Sequence, residues 1–115
     1  MPSLFEPCGL VREEFFAGGT PLVAANTGGL GDRIVPFREE DGSGSGLLFD
    51  GHTHTALLRQ LERALALYAS PHHYATLRQN AYAAACDIRE TACYWQCELQ
   101  RLRACVAARQ CESGV

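Results

Sequence analysis

The sequence has no surplus of basic charge and no long apolar run. Lys and Arg together number 10 against 13 Asp and Glu, giving a formal net charge of −3 at pH 7. A nucleic-acid-binding surface needs clustered basic residues, which this balance does not supply. No segment approaches the roughly 20 consecutive apolar residues that span a bilayer. We therefore predict neither a nucleic acid nor a membrane as a partner.

The opening residues lack the features of a targeting segment. Residues 1–7 have neither the basic nor the apolar region of a signal peptide and are typical of the interior of a protein. We therefore expect Met1 to be an internal methionine of a longer polypeptide in the cytoplasm, with the plastid as the alternative. A length of 115 residues permits one small domain or a piece of a larger one. The composition, 47% hydrophobic and 20% charged, is that of a globular protein.

The cysteines show neither a disulfide framework nor a complete metal motif. There are six, at positions 8, 86, 93, 97, 105 and 111. Without a secretion signal, and with five of them in one predicted helical region, a disulfide scaffold is disfavoured. Cys93 and Cys97, four residues apart, suit half of a metal site, but a second closely spaced pair is missing. We predict reduced, mostly buried thiols and no bound metal.

Helix and strand signals alternate in the first fifty residues. Residues 10–17 place apolar and charged side chains at helical spacing, and Gly18-Gly19 predicts the end of that helix. The apolar run 21–25 has the length of a buried parallel strand. A Gly-rich loop is predicted at 27–32 and a polar surface loop at 36–46. Residues 46–50 then form a second short extended piece.

Three helices are predicted in the remainder of the chain. The first has an apolar stripe made of Leu57, Leu58, Leu61, Ala64, Leu65 and Tyr68. Ser70 as N-cap and Pro71 at the first position start the second helix. Asp87 and Glu90 offer a capping-box-like start to the third. Its apolar positions are Trp95, Leu99, Leu102 and Val106. Residues 111–115 have no pattern and are expected to fray.

This order of elements is that of the second half of a doubly wound α/β domain. Two short strands cannot form a covered parallel sheet alone, so we expect neighbouring strands from further sequence.

Three motifs in the first 32 residues carry the strongest functional signal. They are PSLFEPCGL at 2–10, GTPLVA at 19–24 and TGGLGD at 27–32. In this order and spacing they resemble the nucleotide-sugar half of bacterial and plant-type starch and glycogen synthases, glycosyltransferase family five. The segment EEFFAGGTP, at 13–21, is most similar to the storage-glucan synthases of protists and red algae. The resemblance extends to about residue 105 and is sharp as far as Asp32.

The resemblance implies an α/β fold, the C-terminal half of a GT-B Rossmann-like nucleotide-sugar-binding domain that ends in three helices. Residues 1–52 would be the donor-binding α/β segment and residues 53–110 the C-terminal helices of the same domain. Residues 111–115 would be a frayed tail. The implied partners are a nucleotide-sugar donor, an α-glucan acceptor and the missing N-terminal domain of the parent chain. No cofactor other than the donor substrate is implied.

Glu6 is the residue to which the resemblance gives a catalytic role. In the family the matching carboxylate accepts hydrogen bonds from the donor glucose and helps to stabilise the developing oxocarbenium charge. Independently, Gly9 and Leu10 stand at a predicted helix start, where free N–H groups and the helix dipole favour a diphosphate. The alternative for Glu6 is a carboxylate that only stabilises the helix N-terminus. The alternative for Cys8, placed near the sugar by the resemblance, is a small buried residue.

Further donor-binding positions are implied by the family pattern. Glu14 lies eight positions after Glu6, the spacing at which many retaining glycosyltransferases bind the ribose hydroxyls, and Glu13 is the alternative. Thr27, Gly28 and Gly29 form the loop that lies near the donor pocket in the family, although the same residues also suit a tight strand-to-helix turn.

The expected activity is transfer of glucose from UDP-glucose or ADP-glucose to an α-1,4-glucan with retention of configuration. The cationic residues and N-terminal-domain loop with which the family holds the diphosphate are absent from this sequence. We therefore expect the chain to be a fragment that is inactive alone. The alternatives are another retaining GT-B glycosyltransferase, and a non-catalytic binding module with the Trp95–Val106 stripe as its interface.

Overall fold

Two short parallel strands organise the first part of the chain. A computed structural model describes residues 1–112, with side chains as far as Arg109. Its elements are α1 (Leu10–Ala17), β1 (Val23–Ala25), α2 (Gly28–Arg33), β2 (Leu47–Phe49), α3 (His54–Tyr68), α4 (Pro71–Ala83) and α5 (Ile88–Glu112). Residues 1–85 form one unit, and a second unit begins at Cys86 and contains α5.

Strand β1 has hydrogen bonds along both of its edges. On one edge it pairs in parallel with β2, in the register Val23 to Leu47 through Ala25 to Phe49. On the other edge the Met1 amine donates to the Val23 carbonyl at 2.6 Å, and the Ala25 N–H donates to the Met1 carbonyl at 2.9 Å. Met1 therefore bonds to the residues on either side of Ala24, which is the hydrogen-bond pattern of a parallel ladder. Partial burial lowers the pKa of the Met1 amine.

The two faces of this small sheet carry separate apolar clusters. Successive strand residues point to opposite faces, so Ala24 and Leu48 lie on one side and Val23 and Leu47 on the other. The first side packs against α1, α2 and α4, and its buried residues are Phe16, Leu22, Ala24, Leu30, Ile34 and Ala81. The second side packs against α3 and α4, and its buried residues are Phe37, Leu47, Leu67 and Leu77. Helices cover both faces, as expected for a doubly wound α/β fold.

Several element predictions are confirmed, with one clear error. Helix α1 has the predicted bounds, and Ser70 and Pro71 start α4 as expected. The predicted Gly-rich loop at 27–32 is wrong, because Gly28–Arg33 is the helix α2. Glycine disfavours helix by about 1 kcal/mol relative to alanine, which explains the error. Packing of this segment against the residue 6–9 turn offsets that propensity.

The predicted stripe of α3 is only partly buried. Leu67, which is not in the stripe, is the buried residue of this helix, while Leu58, Leu65 and Tyr68 are more than half exposed. The burial prediction for the cysteines is also wrong, because Cys8, Cys86, Cys93, Cys97 and Cys105 are all exposed.

Helix α5 begins as predicted. The Asp87 carboxylate accepts a hydrogen bond from the Arg89 N–H at 2.8 Å, which satisfies one donor of the first turn. The apolar residues Trp95, Leu99, Leu102 and Val106 are each about half exposed. The backbone of residues 111 and 112 continues the helix, and the rest of the predicted frayed tail lies outside the described residues. No helix in the described part of the chain is long and apolar enough to cross a membrane.

A buried arginine joins three helices of the first unit. Arg12 is 5% exposed, and its guanidinium lies 4.4 Å from the centre of the Phe16 ring. It donates to the backbone carbonyls of Ala84, at 2.8 Å, and Arg33, at 3.3 Å, and it pairs with Glu13. The Ala84 carbonyl directly follows α4, and the Arg33 carbonyl belongs to the last residue of α2. At both C-terminal ends the helix dipole favours a cation. Arg12 thus connects α1 to the ends of both helices.

We expect Arg12→Met to lower the free energy of unfolding by about 2–4 kcal/mol, because two partly buried carbonyls lose a charged donor while the apolar stem is kept. Urea unfolding of the chain followed by circular dichroism measures this loss. Arg59→Met, at an exposed position of α3, is the matched control and should change stability by no more than about 0.5 kcal/mol. Equal losses of stability in Arg12→Met and Arg59→Met would contradict the stabilising role of the Arg12 hydrogen bonds.

Candidate functional site

The segment between Met1 and α1 forms a turn that closes on the Glu6 carboxylate. Glu6 is half-buried, and its Oε1 accepts a hydrogen bond from the Gly9 N–H at 3.2 Å. Gly9 is the N-cap of α1 and has φ of +69°, a left-handed conformation that glycine adopts readily. It offers no side chain to cap the helix. The start of α1 and the Glu6 carboxylate are therefore held together in the same turn.

Two glycines at the start of α2 let this turn lie directly against the backbone. The Gly29 N–H donates to the Glu6 carbonyl at 2.8 Å, and the Thr27 hydroxyl donates to the Leu4 carbonyl at 3.3 Å. A Cβ atom on Gly28 would overlap the Glu6 carbonyl oxygen, and one on Gly29 would lie 2.7 Å from the Cys8 carbonyl carbon. Glycine is required at both positions by this close approach.

The structure thus brings seven of the eight predicted positions to one place. The turn and α1 start contribute Glu6, Cys8, Gly9 and Leu10, and the α2 start contributes Thr27, Gly28 and Gly29. Of the two alternatives for Thr27–Gly29, the structure shows the tight strand-to-helix turn, which also supports the Glu6 turn, and the place of this segment beside a donor pocket stays a prediction. Cys8 is exposed, so its alternative as a buried residue is wrong, and its backbone is what Gly29 contacts.

These residues lie where parallel strands end. The Glu6 turn follows the Met1 position, Thr27 follows β1, and Asp50 follows β2. Ligands of open α/β sheets bind outside the carboxyl ends of the strands. Next to them, backbone N–H groups at the start of α1 and the positive end of its dipole favour an anion. The arrangement can therefore place a carboxylate beside a bound anionic ligand.

The structure distinguishes the two candidate carboxylates on α1. Glu13 pairs with Arg12 and with Arg33, the latter at 2.7 Å, and so belongs to the structural network around Arg12. Glu14 is exposed, and it shares a helix face with Leu10, four residues earlier, which is 69% exposed. Glu14 is therefore the carboxylate that can face a ligand at the α1 start. Its ribose-binding role stays a prediction.

Asn26 and Asp50 belong to the same edge, and neither had a role in the sequence-based prediction. The Asn26 side-chain amide donates to the Asp50 carboxylate at 2.7 Å, and the Asn26 N–H donates to the Phe49 carbonyl at 2.9 Å. These bonds fix the chain where it leaves β1 and enters the Thr27 turn. The sequence could have indicated both residues by their positions, because each directly follows a strand and so lies at the carboxyl edge of the sheet. His52 is exposed, and its Nε2 lies 3.1 Å from the Ser3 carbonyl oxygen.

Among the described residues, no group of three or more His, Cys, Asp or Glu side chains is arranged to hold a metal ion.

Comparison with known proteins gives a consistent assignment. No protein-family model matches the chain. The glycogen synthase of Photobacterium profundum is 38% identical over 93 residues, which is 80% of this chain and 18% of that protein. The glycogen synthase of Yersinia enterocolitica is 39% identical over 84 residues, 70% of this chain and 18% of that protein.

A solved structure shares the fold. The catalytic domain of starch synthase IV from Arabidopsis thaliana, bound to ADP and acarbose, matches with a TM-score of 0.70 and 25% identity, over 89% of this chain and 21% of that one. The predicted resemblance to starch and glycogen synthases and the predicted GT-B α/β fold class are confirmed, and the similarity to the protist and red-algal branch stays a prediction. The chain spans about a fifth of the length of the proteins it matches.

Proposed function

Because the chain corresponds to a segment of starch and glycogen synthases, we propose that the polypeptide containing it is a retaining glucosyltransferase. It transfers glucose from a nucleoside diphosphate glucose to the end of an α-1,4-glucan. The observation that carries the proposal is the turn in which the Glu6 carboxylate, the α1 start and the Gly28–Gly29 backbone meet. The donor is UDP-glucose or ADP-glucose, and the solved relative that binds ADP supports a diphosphate ligand.

In this proposal each part of the site has a separate task. The α1 start, with Gly9 and Leu10, faces the donor diphosphate. Glu6 accepts hydrogen bonds from the glucose hydroxyls and stabilises the positive charge that develops on the sugar ring as the bond to the diphosphate breaks. The acceptor hydroxyl attacks from the face that the diphosphate leaves, so configuration is retained and no enzyme nucleophile is needed. Glu14 binds the ribose hydroxyls.

The remaining diphosphate ligands come from outside these 115 residues. A helix N-terminus contributes about 0.3–2 kcal/mol to anion binding, whereas even millimolar affinity requires about 4 kcal/mol. The other ligands and the acceptor cleft are therefore supplied by parts of the parent polypeptide outside this chain, which are the start of the C-terminal domain and the N-terminal domain. The 115-residue chain alone should not transfer glucose. We propose a cytoplasmic location, with the plastid as the alternative.

Two measurements test the proposal. Mass spectrometry of the native protein in a cell extract, using peptides from residues 53–101, should find a species several times heavier than 12.5 kDa. The purified full-length polypeptide should then incorporate labelled glucose into glycogen from UDP-glucose or ADP-glucose. Absence of incorporation from both donors would contradict the proposal.

A second function is favoured by the exposed apolar residues of α5. If the native species has a mass of 12.5 kDa, the Trp95–Val106 stripe would instead serve as the interface of a non-catalytic binding module. In that case the native chain should elute together with a partner, and substitution of Leu99 and Leu102 by serine should release it.

A further inference from the structure

Two thiols on α5 have no part in the proposed transfer reaction. Cys93 and Cys97 are both exposed, and both lie inside the continuous helix Ile88–Glu112. Residues four positions apart are neighbours on a helix surface, with Cβ atoms about 5–6 Å apart. Each sulfur is one bond beyond its Cβ, so rotation about the Cα–Cβ bonds can bring both sulfurs to a single bridging atom.

The spacing favours two thiols over one disulfide. A disulfide needs Cβ atoms about 3.5–4.5 Å apart, closer than an undistorted helix places residues 93 and 97. The pair is also isolated, because every other interval between consecutive cysteines in the sequence is six positions or more. Six positions along a helix correspond to about 9 Å of rise, too far for one atom to bridge.

The donor set restricts the kind of ligand. Hard cations such as Mg²⁺ and Ca²⁺ prefer oxygen, and structural zinc takes four ligands. In the described part of the chain, no third His, Cys, Asp or Glu joins this pair. Thiolates select soft centres, and two of them suffice only for a centre that completes its bonding without further protein ligands.

We propose that Cys93 and Cys97 form a dithiol site for trivalent organoarsenicals and similar soft centres that bind two sulfurs. With phenylarsine oxide, two arsenic–sulfur bonds form and the arsenic–oxygen bond breaks. The two thiol protons leave with that oxygen as one molecule of water. Arsenic stays trivalent throughout, so the step needs neither an oxidant nor a reductant.

Chelation should give the pair a large advantage over any single thiol. Once one sulfur has reacted, the second attacks intramolecularly, and such linkage raises affinity by about 10²–10⁴-fold. We therefore expect the chain to bind one phenylarsine oxide at least about a hundredfold more tightly than either Cys93→Ser or Cys97→Ser. Cys105→Ser removes an exposed thiol from the same helix and should leave the affinity unchanged.

The experiment is a titration with phenylarsine oxide, with the protected cysteines identified by maleimide labelling and mass spectrometry. Moving one thiol tests the helix geometry. Cys97→Ser with Gln96→Cys restores a pair three positions apart and should recover tight binding, whereas Cys97→Ser with Glu98→Cys, five positions apart, should not. Equal recovery in both, protection of other cysteines, or no effect of Cys93→Ser would overturn the proposal. The site does not depend on glucosyltransferase activity.

Discussion

Glu6→Ala should lower glucose transfer by the full-length polypeptide by about 10³-fold, since loss of one group that stabilises developing charge costs about 10²–10³-fold. The loss should appear mainly in kcat, because the carboxylate interacts most strongly with the positively charged sugar of the transition state. Incorporation of labelled glucose into glycogen at several donor concentrations measures it. Glu40→Ala, at an exposed position in the 36–46 loop, is the control and should keep full activity.

Glu6→Gln separates the catalytic role from the structural alternative. The amide oxygen of Gln can still accept the hydrogen bond from the Gly9 N–H, so the turn and the α1 start should keep their geometry. The negative charge is lost, and transfer should fall nearly as far as in Glu6→Ala. Near-normal activity in Glu6→Gln would mean that Glu6 only stabilises the turn.

Gly28→Ala should be among the most destabilising single substitutions in the first unit. Gly28 has φ of +45°, and an added Cβ would overlap the Glu6 carbonyl. The left-handed conformation costs about 1–2 kcal/mol and the forced backbone shift about 1–3 kcal/mol more. We expect a loss of about 2–5 kcal/mol in the urea unfolding of the chain. Hydrogen exchange of the Gly29 N–H should become faster, since its bond to Glu6 is displaced.

Gly51→Ala is the matched control for backbone strain. Gly51 also has positive φ, of +74°, but no atom lies within 4 Å of an added Cβ. Its replacement should cost only the conformational part, about 1–2 kcal/mol. If Gly28→Ala were no more destabilising than Gly51→Ala, the close packing of the Glu6 turn against α2 would be incorrect.

Local sequence signals predicted the fold where a residue type determines the backbone. Gly18-Gly19 ended α1 and Ser70-Pro71 started α4, since each depends on backbone conformation or capping within a few residues. Helix α2 and the buried face of α3 were missed because tertiary packing decides both. The glycine-rich helix α2 is stabilised by tertiary contacts, namely its packing against the turn at residues 6–9 and the burial of Leu30. Leu67 is buried because of where α3 lies against the sheet.

The sequence predicted which residues belong to the candidate site, but not the hydrogen bonds and ion pairs that join them. The motifs identified Glu6, Gly9 and Gly28, whereas the bond from Asn26 to Asp50 links residues 24 positions apart and leaves no local pattern. The choice between Glu13 and Glu14 likewise required Arg33, 20 positions from Glu13. Helical spacing alone allows either carboxylate to face solvent, and only the position of the arginines distinguishes them.

The bond from Arg12 to the Ala84 carbonyl joins residues 72 positions apart, which constrains the order of events during protein synthesis. Domains fold as the chain leaves the ribosome from its N-terminal end. Helix α1 can form early, and the Arg12 guanidinium can then reach the Arg33 carbonyl. Its second acceptor, the Ala84 carbonyl, becomes available only after residue 84 has emerged from the ribosome. The first unit should therefore become protease-resistant in nascent chains only after that point, and the whole of α4 must be translated before α1 is fixed in place.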